Sequence, residues 1–172
     1  MTAAEYYKVT ENMTERTELI DGEIVMLAQP TIQHQQIAGR LYGIADQFIR
    51  SSKGSCTALQ AVDVQLTDEV SVVPDVMVVC DPSKMDEKRC YGAPDWVIEV
   101  TGTNRENDFV RKLRLYRQYG VREYWIVDTE DRKVWVYPFG QHPNVVEFYD
   151  WTDSIPVGIF GGRLFVCIAD LL

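Results

Sequence analysis

The stretch Ala93–Asp128, APDWVIEVTGTNRENDFVRKLRLYRQYGVREYWIVD, constrains the fold of this chain more than any other. Its two ends, DWVIEVT and EYWIVD, are short runs rich in β-branched and aromatic residues, as strands are. Between them, Gly102-Thr103-Asn104 reads as a loop in which Thr103 or Asn104 can cap a helix from Arg105 to Tyr119. Gly120 supplies the C-terminal stop. In the first strand Trp96, Ile98 and Val100 face one way, and Val97, Glu99 and Thr101 the other. Glu99 is therefore an acid set inside an apolar run.

Upstream, the chain divides into recognisable pieces. Residues 1–15 are polar and read as a short helix or a loosely ordered lead-in. ELIDGEIVMLA (18–28) is expected to be a hairpin, because Asp21-Gly22 supplies the positive backbone angles of a tight turn. Thr31 can cap a helix beginning at Ile32, with Ile37, Leu41, Ile44, Ala45 and Phe48 at three- and four-residue spacing. CTALQAVDVQLT alternates Val62, Val64 and Leu66 against polar partners, the pattern of a half-buried strand. SVVPDVMVVC is apolar on both faces, like a central strand. Pro74 cannot donate to a ladder there, so its place beside Asp75 predicts a local distortion. After EYWIVD, the turn 129–132 leads to another strand, KVWVYPF, and the tail mixes short strand signals with glycines. The expected fold class is α/β: helices flanking one central mixed β-sheet, in a single domain over residues 1–172.

Composition narrows the function. The chain has 172 residues and is 46% hydrophobic, enough for a real core. Nothing in it approaches the roughly 20 apolar residues of a membrane helix, and the acidic N-terminus lacks a signal-peptide core. The expectation is a cytoplasmic protein with no membrane partner, whose four cysteines are reduced and structural. The net charge of −9 argues against a general nucleic-acid coat protein. Charge is nevertheless uneven: between residues 105 and 122 six basic residues stand against two acids.

Asp75 and Glu99 lie in separate apolar runs, and an unpartnered buried carboxylate costs several kcal/mol. A shared metal ion is one remedy and a salt bridge another. Hard divalent cations such as Mg²⁺ (or Mn²⁺) need only one or two carboxylates, completing their shell with water and substrate phosphate. Asp108 and Lys112 stand at i and i+4 on the helix and point to one side. Two acids on strands and a lysine on the next helix form a set able to hold a divalent metal and cut a phosphodiester.

These segments (ELIDGEIVML, HQQIAGRL, VPDVMVV and the stretch from Asp95 to Asp128) resemble the Uma-type restriction endonuclease family of bacteria, within the PD-(D/E)XK nuclease superfamily. The likeness covers roughly residues 15 to 170. It implies a restriction-endonuclease-like fold and a Mg²⁺-dependent DNA-cleaving site. Pro74-Asp75 would be the PD of the motif, Glu99 its second acid, and Thr101 the residue at the usual lysine position, with Lys112 as substitute. Glu18 matches an N-terminal acid of related nucleases, and His34 a histidine of the family.

The expected site is thus Asp75, Glu99, Lys112, Glu18 and Thr101, with Asp75, Glu99 and Glu18 on the metal. Several residues keep a plainer alternative. Glu18 also suits a hairpin turn, and His34 a surface or capping role. Asp108 suits the first turn of a helix through its dipole. Arg105, Arg111, Arg114 and Arg117 either hold DNA phosphates or balance local acids. Asp63, Tyr116, His34 and Asp108 are expected to surround the site. DNA is the expected partner, a homodimer the expected assembly, and the aromatic run Tyr124, Trp125, Trp135, Tyr137 is core or dimer surface. The competing functions are a catalytically inactive binding or assembly module of the same fold and a phosphoesterase acting on small nucleotides.

Overall fold

The computed structural model of the protein describes residues 1–102 and 105–172, so the capping positions Thr103 and Asn104 lie outside it. The α/β class is as expected, but the strands form two main sheets rather than one. The first sheet contains β1 (Thr17–Ile20), β2 (Glu23–Met26), β4 (Val64–Thr67), β5 (Val70–Val72) and β7 (Cys90–Tyr91), in the order β2-β1-β5-β4-β7. The second contains β3 (Thr57–Leu59), β6 (Val76–Val79), β8 (Trp96–Thr101), β9 (Glu123–Asp128), β10 (Lys133–Tyr137) and β11 (Glu147–Asp150), in the order β11-β10-β9-β8-β6-β3. A two-stranded ribbon, β12 (Ile155–Pro156) with β13 (Phe165–Val166), completes the described strands.

The reason for two sheets lies in the segment expected to be single strands. CTALQAVDVQLT and SVVPDVMVVC run side by side as one long hairpin that changes sheet midway. β3 pairs with β6 in one sheet, and β4 pairs with β5 in the other. At the crossing Ala61 takes a positive φ of 49° and its N–H donates to the Pro74 carbonyl. Pro74, which lacks an N–H, therefore sits where the ladder is already interrupted. The expected distortion is a strand changing sheets, and Asp75 is the first residue beyond it.

β8 and β9 are parallel, with Trp96 opposite Glu123 and Thr101 opposite Asp128, so their connection must cross over the sheet. The crossover is a π-helical turn, Asn107–Lys112, continuing into α3, Leu113–Tyr119, which ends on Gly120 at φ 92°. The opposite face of the sheet is covered by α2, Ile32–Ser51, whose N-cap Thr31 accepts from the His34 N–H at 3.1 Å. Ile37, Leu41 and Ala45 of α2 pack against Val76, Ile98 and Val100. On the other side Leu115 and Tyr116 pack against Val97 and Tyr124, together with Val64, Val70 and Val72 of the first sheet. Trp125, Tyr124 and Tyr137 are buried core, while Trp135 is partly buried. The six-stranded sheet is thus the middle layer.

At the N-terminus the helix expectation holds: α1, Ala3–Thr10, opens on a capping box between Thr2 and Glu5 and buries Ala3 and Tyr6. Cysteine usage differs from expectation. Cys56 and Cys80 are joined in a disulfide, because the register that sets Thr57 opposite Val79 brings the next pair of positions together. Cys90 and Cys167 are free.

Candidate active site

Asp75 and Glu99 approach each other through strand pairing. Val76 faces Ile98 across the antiparallel β6/β8 ladder, and one step further the Asp75 side chain meets the next peptide. Its Oδ2 accepts from the Val100 N–H at 2.8 Å and from His34 Nε2 at 2.9 Å. His34 is therefore no free surface residue: the first turn of α2 aims it across the cleft at Asp75. His34 Nδ1 is buried with no hydrogen-bond partner among the described residues.

Glu99 lies on the opposite strand face from the α2 contacts and meets the crossover helix. Its Oε1 accepts from Lys112 Nζ at 2.9 Å and from the Tyr116 hydroxyl at 2.8 Å. Lys112 is 3% exposed, yet it carries a charge, so it needs carboxylates to sit there. Glu18 provides the second one, with Oε1 at 2.8 Å from Nζ. Glu18 is fully buried on β1, where it also accepts from the Val73 N–H at 2.8 Å and faces Asn107 Nδ2 at 3.5 Å. Asp108 Oδ1 stands 3.9 Å from the same amine.

Burial disfavours charge on the Lys112 amine, but Glu18, Glu99 and Asp108 outweigh it and hold the amine cationic, well above the ordinary lysine range. Burial pushes the Glu99 carboxyl strongly up, with Lys112 opposing and the neighbouring acids Asp75, Asp108 and Glu18 adding to the rise. Asp108 is pushed up to about 6, chiefly by burial; Lys112 and Thr101 oppose. The Thr101 hydroxyl is buried close enough to favour a charged Asp108, yet it makes no hydrogen bond of standard geometry. Burial likewise raises the Tyr116 phenol, so it remains a donor to Glu99.

These groups line a cleft of about 260 Å³ between the N-terminal end of α2 and the start of the crossover helix. His34, Asp75, Glu99, Thr101, Asp108 and Lys112 all reach it. Glu18 does not; it stands behind Lys112. Asp63 is elsewhere, half-buried just before β4 of the first sheet, where burial raises its carboxyl and Arg89 counters. Arg16 and Asn107 line the cleft and were not among the expected residues. A single sequence gave no periodic signal for Arg16, which lies just outside β1. Asn107 was hidden at the start of a helix read only for its charges.

The basic face is largely occupied. Arg105 pairs with Asp128 at 2.6 Å, Asp131 at 2.8 Å and Glu130 at 3.1 Å. Arg114 pairs with Asp21, and Arg117 lies over the Phe139 ring. Arg111 is exposed and makes no ion pair among the described residues.

Could a metal fit? Among the described residues no three His, Cys, Asp or Glu side chains are grouped closely enough to hold an ion unaided. Asp75 Oδ1 and Glu99 Oε2, however, accept no hydrogen bond from the described residues, because the other oxygen of each carboxylate takes all the contacts. Two oxygen donors bordering the cleft suit a hard cation that keeps its waters and accepts phosphate.

A family model described as "Uma2: Putative restriction endonuclease" matches residues 3–158. The chain belongs to this family. It is also 27% identical over 135 residues to the uncharacterized protein sll1609 of Synechocystis sp., covering 74% of this chain and 75% of that protein. The fold is similar to that of a crystal structure titled as a putative nuclease belonging to DUF820 from Anabaena variabilis, with a TM-score of 0.79 and 22% identity, over 99% of this chain and 97% of that one. The family match supports a nuclease-like function, and the crystal structure shows that the fold is shared.

Proposed function

We propose that the protein is a divalent-metal-dependent endonuclease that hydrolyses DNA phosphodiesters. The observation that carries this reading is that Asp75 and Glu99, each with one oxygen that accepts no hydrogen bond from the described residues, line the same cleft as a lysine held cationic. Asp75 Oδ1 and Glu99 Oε2 would hold Mg²⁺ or Mn²⁺, which when bound supplies Lewis acidity to the phosphate and acidifies water. His34 and the Val100 N–H fix the Asp75 carboxylate so that its other oxygen faces the cleft. Tyr116 and Lys112 do the same for Glu99. Lys112 presents a fixed positive charge to the phosphate as negative charge builds on it. Glu18 keeps that amine charged and aimed, so the structure favours a positioning task for it over the metal-holding one. Arg16 on the cleft wall would draw in the phosphate backbone. Two copies would supply the two sites a double-strand cut requires.

A plasmid-nicking assay with Mg²⁺ or Mn²⁺ tests the reading. Wild type should relax supercoiled DNA and Asp75→Ala should not; cleavage that persists in the variant would sink this site. A second reading, a phosphoesterase acting on small nucleotides, is favoured by the compact cleft and by the arginines already bound to acids. Hydrolysis of nucleotides together with inert plasmid DNA would select it.

A further inference from the structure

One carboxylate at the cleft accepts no direct hydrogen bond of standard geometry among the described residues. Asp75 is held by His34 and Val100, Glu99 by Lys112 and Tyr116, and Glu18 lies behind the amine. The Asp108 carboxylate accepts no hydrogen bond from the described residues, and its nearest cation is 3.9 Å away. We propose that Asp108 is the general base of the reaction, taking a proton from the water that attacks phosphorus while Lys112 orients that water. This rests on the endonuclease reading above.

The geometry carries the assignment. A separation of 3.9 Å between Lys112 Nζ and Asp108 Oδ1 is too long for a direct bond and fits one water touching both. Lys112 cannot be the base, because three carboxylates keep its proton in place. Asp75 and Glu99 would hold the metal through their remaining oxygens. The proton of the attacking water therefore needs an acceptor, and Asp108 is the remaining one that both lines the cleft and adjoins Lys112. Its surroundings suit a base working near neutrality. Burial raises it to about 6, against the opposing pull of Lys112 on its own helix and the Thr101 hydroxyl on β8. Asp75 and Glu18 add to the rise, Glu99 lies on the strand beneath, and Tyr124 on β9 donates its hydroxyl to the Asp108 carbonyl. A carboxylate tuned toward the operating pH is the condition for efficient base catalysis.

In the step itself, a water O–H bond breaks and its proton passes to Asp108. The water oxygen forms a bond to phosphorus. The phosphorus–oxygen bond to the leaving group breaks with its electron pair on the leaving oxygen, which takes a proton from solvent. Asp108 then releases its proton to solvent, so the net reaction consumes one water.

The test is single-turnover cleavage of a short DNA duplex with Mn²⁺, comparing wild type with Asp108→Asn and Asp108→Glu. Each is run on normal DNA and on DNA carrying sulfur as the bridging leaving atom, at either side of the phosphorus. Asp108→Asn should slow the chemical step by about 10²–10⁴-fold on both substrates, with Mn²⁺ affinity and KM changed by less than about threefold. Asp108→Glu should recover part of the rate. Three results overturn the proposal: a rate within about tenfold of wild type, a rate restored on the sulfur substrate (which makes Asp108 the acid for the leaving group), or Mn²⁺ affinity falling in step with rate (which makes it a ligand). If wild type cleaves and Asp108→Asn matches it, only the base role falls. If wild type cleaves nothing, the endonuclease reading falls and takes this role with it. Should the variants fail to fold, the wild-type pH profile decides: an acidic limb with a midpoint between about 5 and 6 on both substrates supports the base, and a profile flat down to about pH 5 overturns it.

Discussion

Glu99 and Glu123 are two buried glutamates on neighbouring parallel strands, and they are held in opposite ways. Their exposures are nearly equal, 3% and 2%. Glu123, at the start of β9, is saturated by N–H donors: Trp125 Nε1 at 2.7 Å, the Gly158 N–H at 3.1 Å and the Ile159 N–H at 2.7 Å. It ties the 158–160 turn to the sheet, and both of its oxygens are used. Glu99, near the end of β8, shares one cation with Glu18 and leaves an oxygen toward the cleft. Burial alone therefore does not mark a functional acid. The mark is a buried acid whose partners stop short of satisfying it, next to space that a ligand can enter.

Breaking the shared cation gives the largest expected effect. Lys112→Met leaves Glu18 and Glu99 buried together without a counter-charge, which should cost about 3–5 kcal/mol and lower Tm by about 10 °C near pH 8. Without the lysine the Glu99 carboxyl, already raised by burial, loses the cation that opposes the rise, so the deficit should shrink as pH falls toward about 5 and it takes up a proton. Urea melts at several pH values check this; a variant as stable as wild type at every pH would show that the cation is dispensable.

Asp108→Asn should move stability the other way. The Asp108 carboxyl rises from the ordinary 3.8 to about 6 in the folded state. Its contribution to stability is thus full below about pH 4 and is lost as pH rises through about 6. Removing the charge should stabilise the protein by up to about 3 kcal/mol at pH 8 and by nearly nothing at about pH 4. A variant that gains stability while losing cleavage is the signature of a strained functional group. Equal melting temperatures at both pH values would refute the burial argument for this residue.

Glu123→Gln sharpens the contrast. The amide keeps one acceptor and turns an NH₂ toward a backbone N–H, so the loss should be about 1–3 kcal/mol. Cleavage per folded molecule should stay at the wild-type level. A specific loss of activity with intact stability would mean that the two glutamates are not as different as their partners suggest.

What could be read from the sequence divides along the same line between local and distant causes. The Asp21-Gly22 turn, the Thr31 cap, the alternation in β8 and the Gly120 stop are set by neighbours a few residues away, and each is in place. The sheet change at Ala61 and Pro74 was visible only as an awkward proline, because which sheet a strand joins is decided by partners far along the chain. The acids and the lysine were legible as types. The contacts between Glu18 and Lys112, 94 positions apart in sequence order, and between His34 and Asp75 were not. The disulfide between Cys56 and Cys80 likewise follows from strand register, which cysteine counting does not contain.

The arginines make the same comparison on the surface, at the smallest scale. Four of them looked equivalent in sequence. Arg105 is held by three acids of the β9–β10 corner, and this holds its guanidinium firmly charged. Arg111 projects into solvent further along the helix, in no ion pair among the described residues. A phosphate contact releases counterions from DNA only if the cation was not already neutralised, so Arg111 should count in binding and Arg105 should not. Arg111→Ala should weaken binding to a short duplex severalfold and reduce the salt slope, log K against log salt, by about one. Arg105→Ala should leave that slope unchanged and instead loosen the β9–β10 corner, lowering Tm by a few degrees. Fluorescence anisotropy across a salt series reads both slopes. If the Arg105 variant loses the same slope as the Arg111 variant, its acids let go when DNA arrives, and the occupied half of the basic face is part of the binding surface after all.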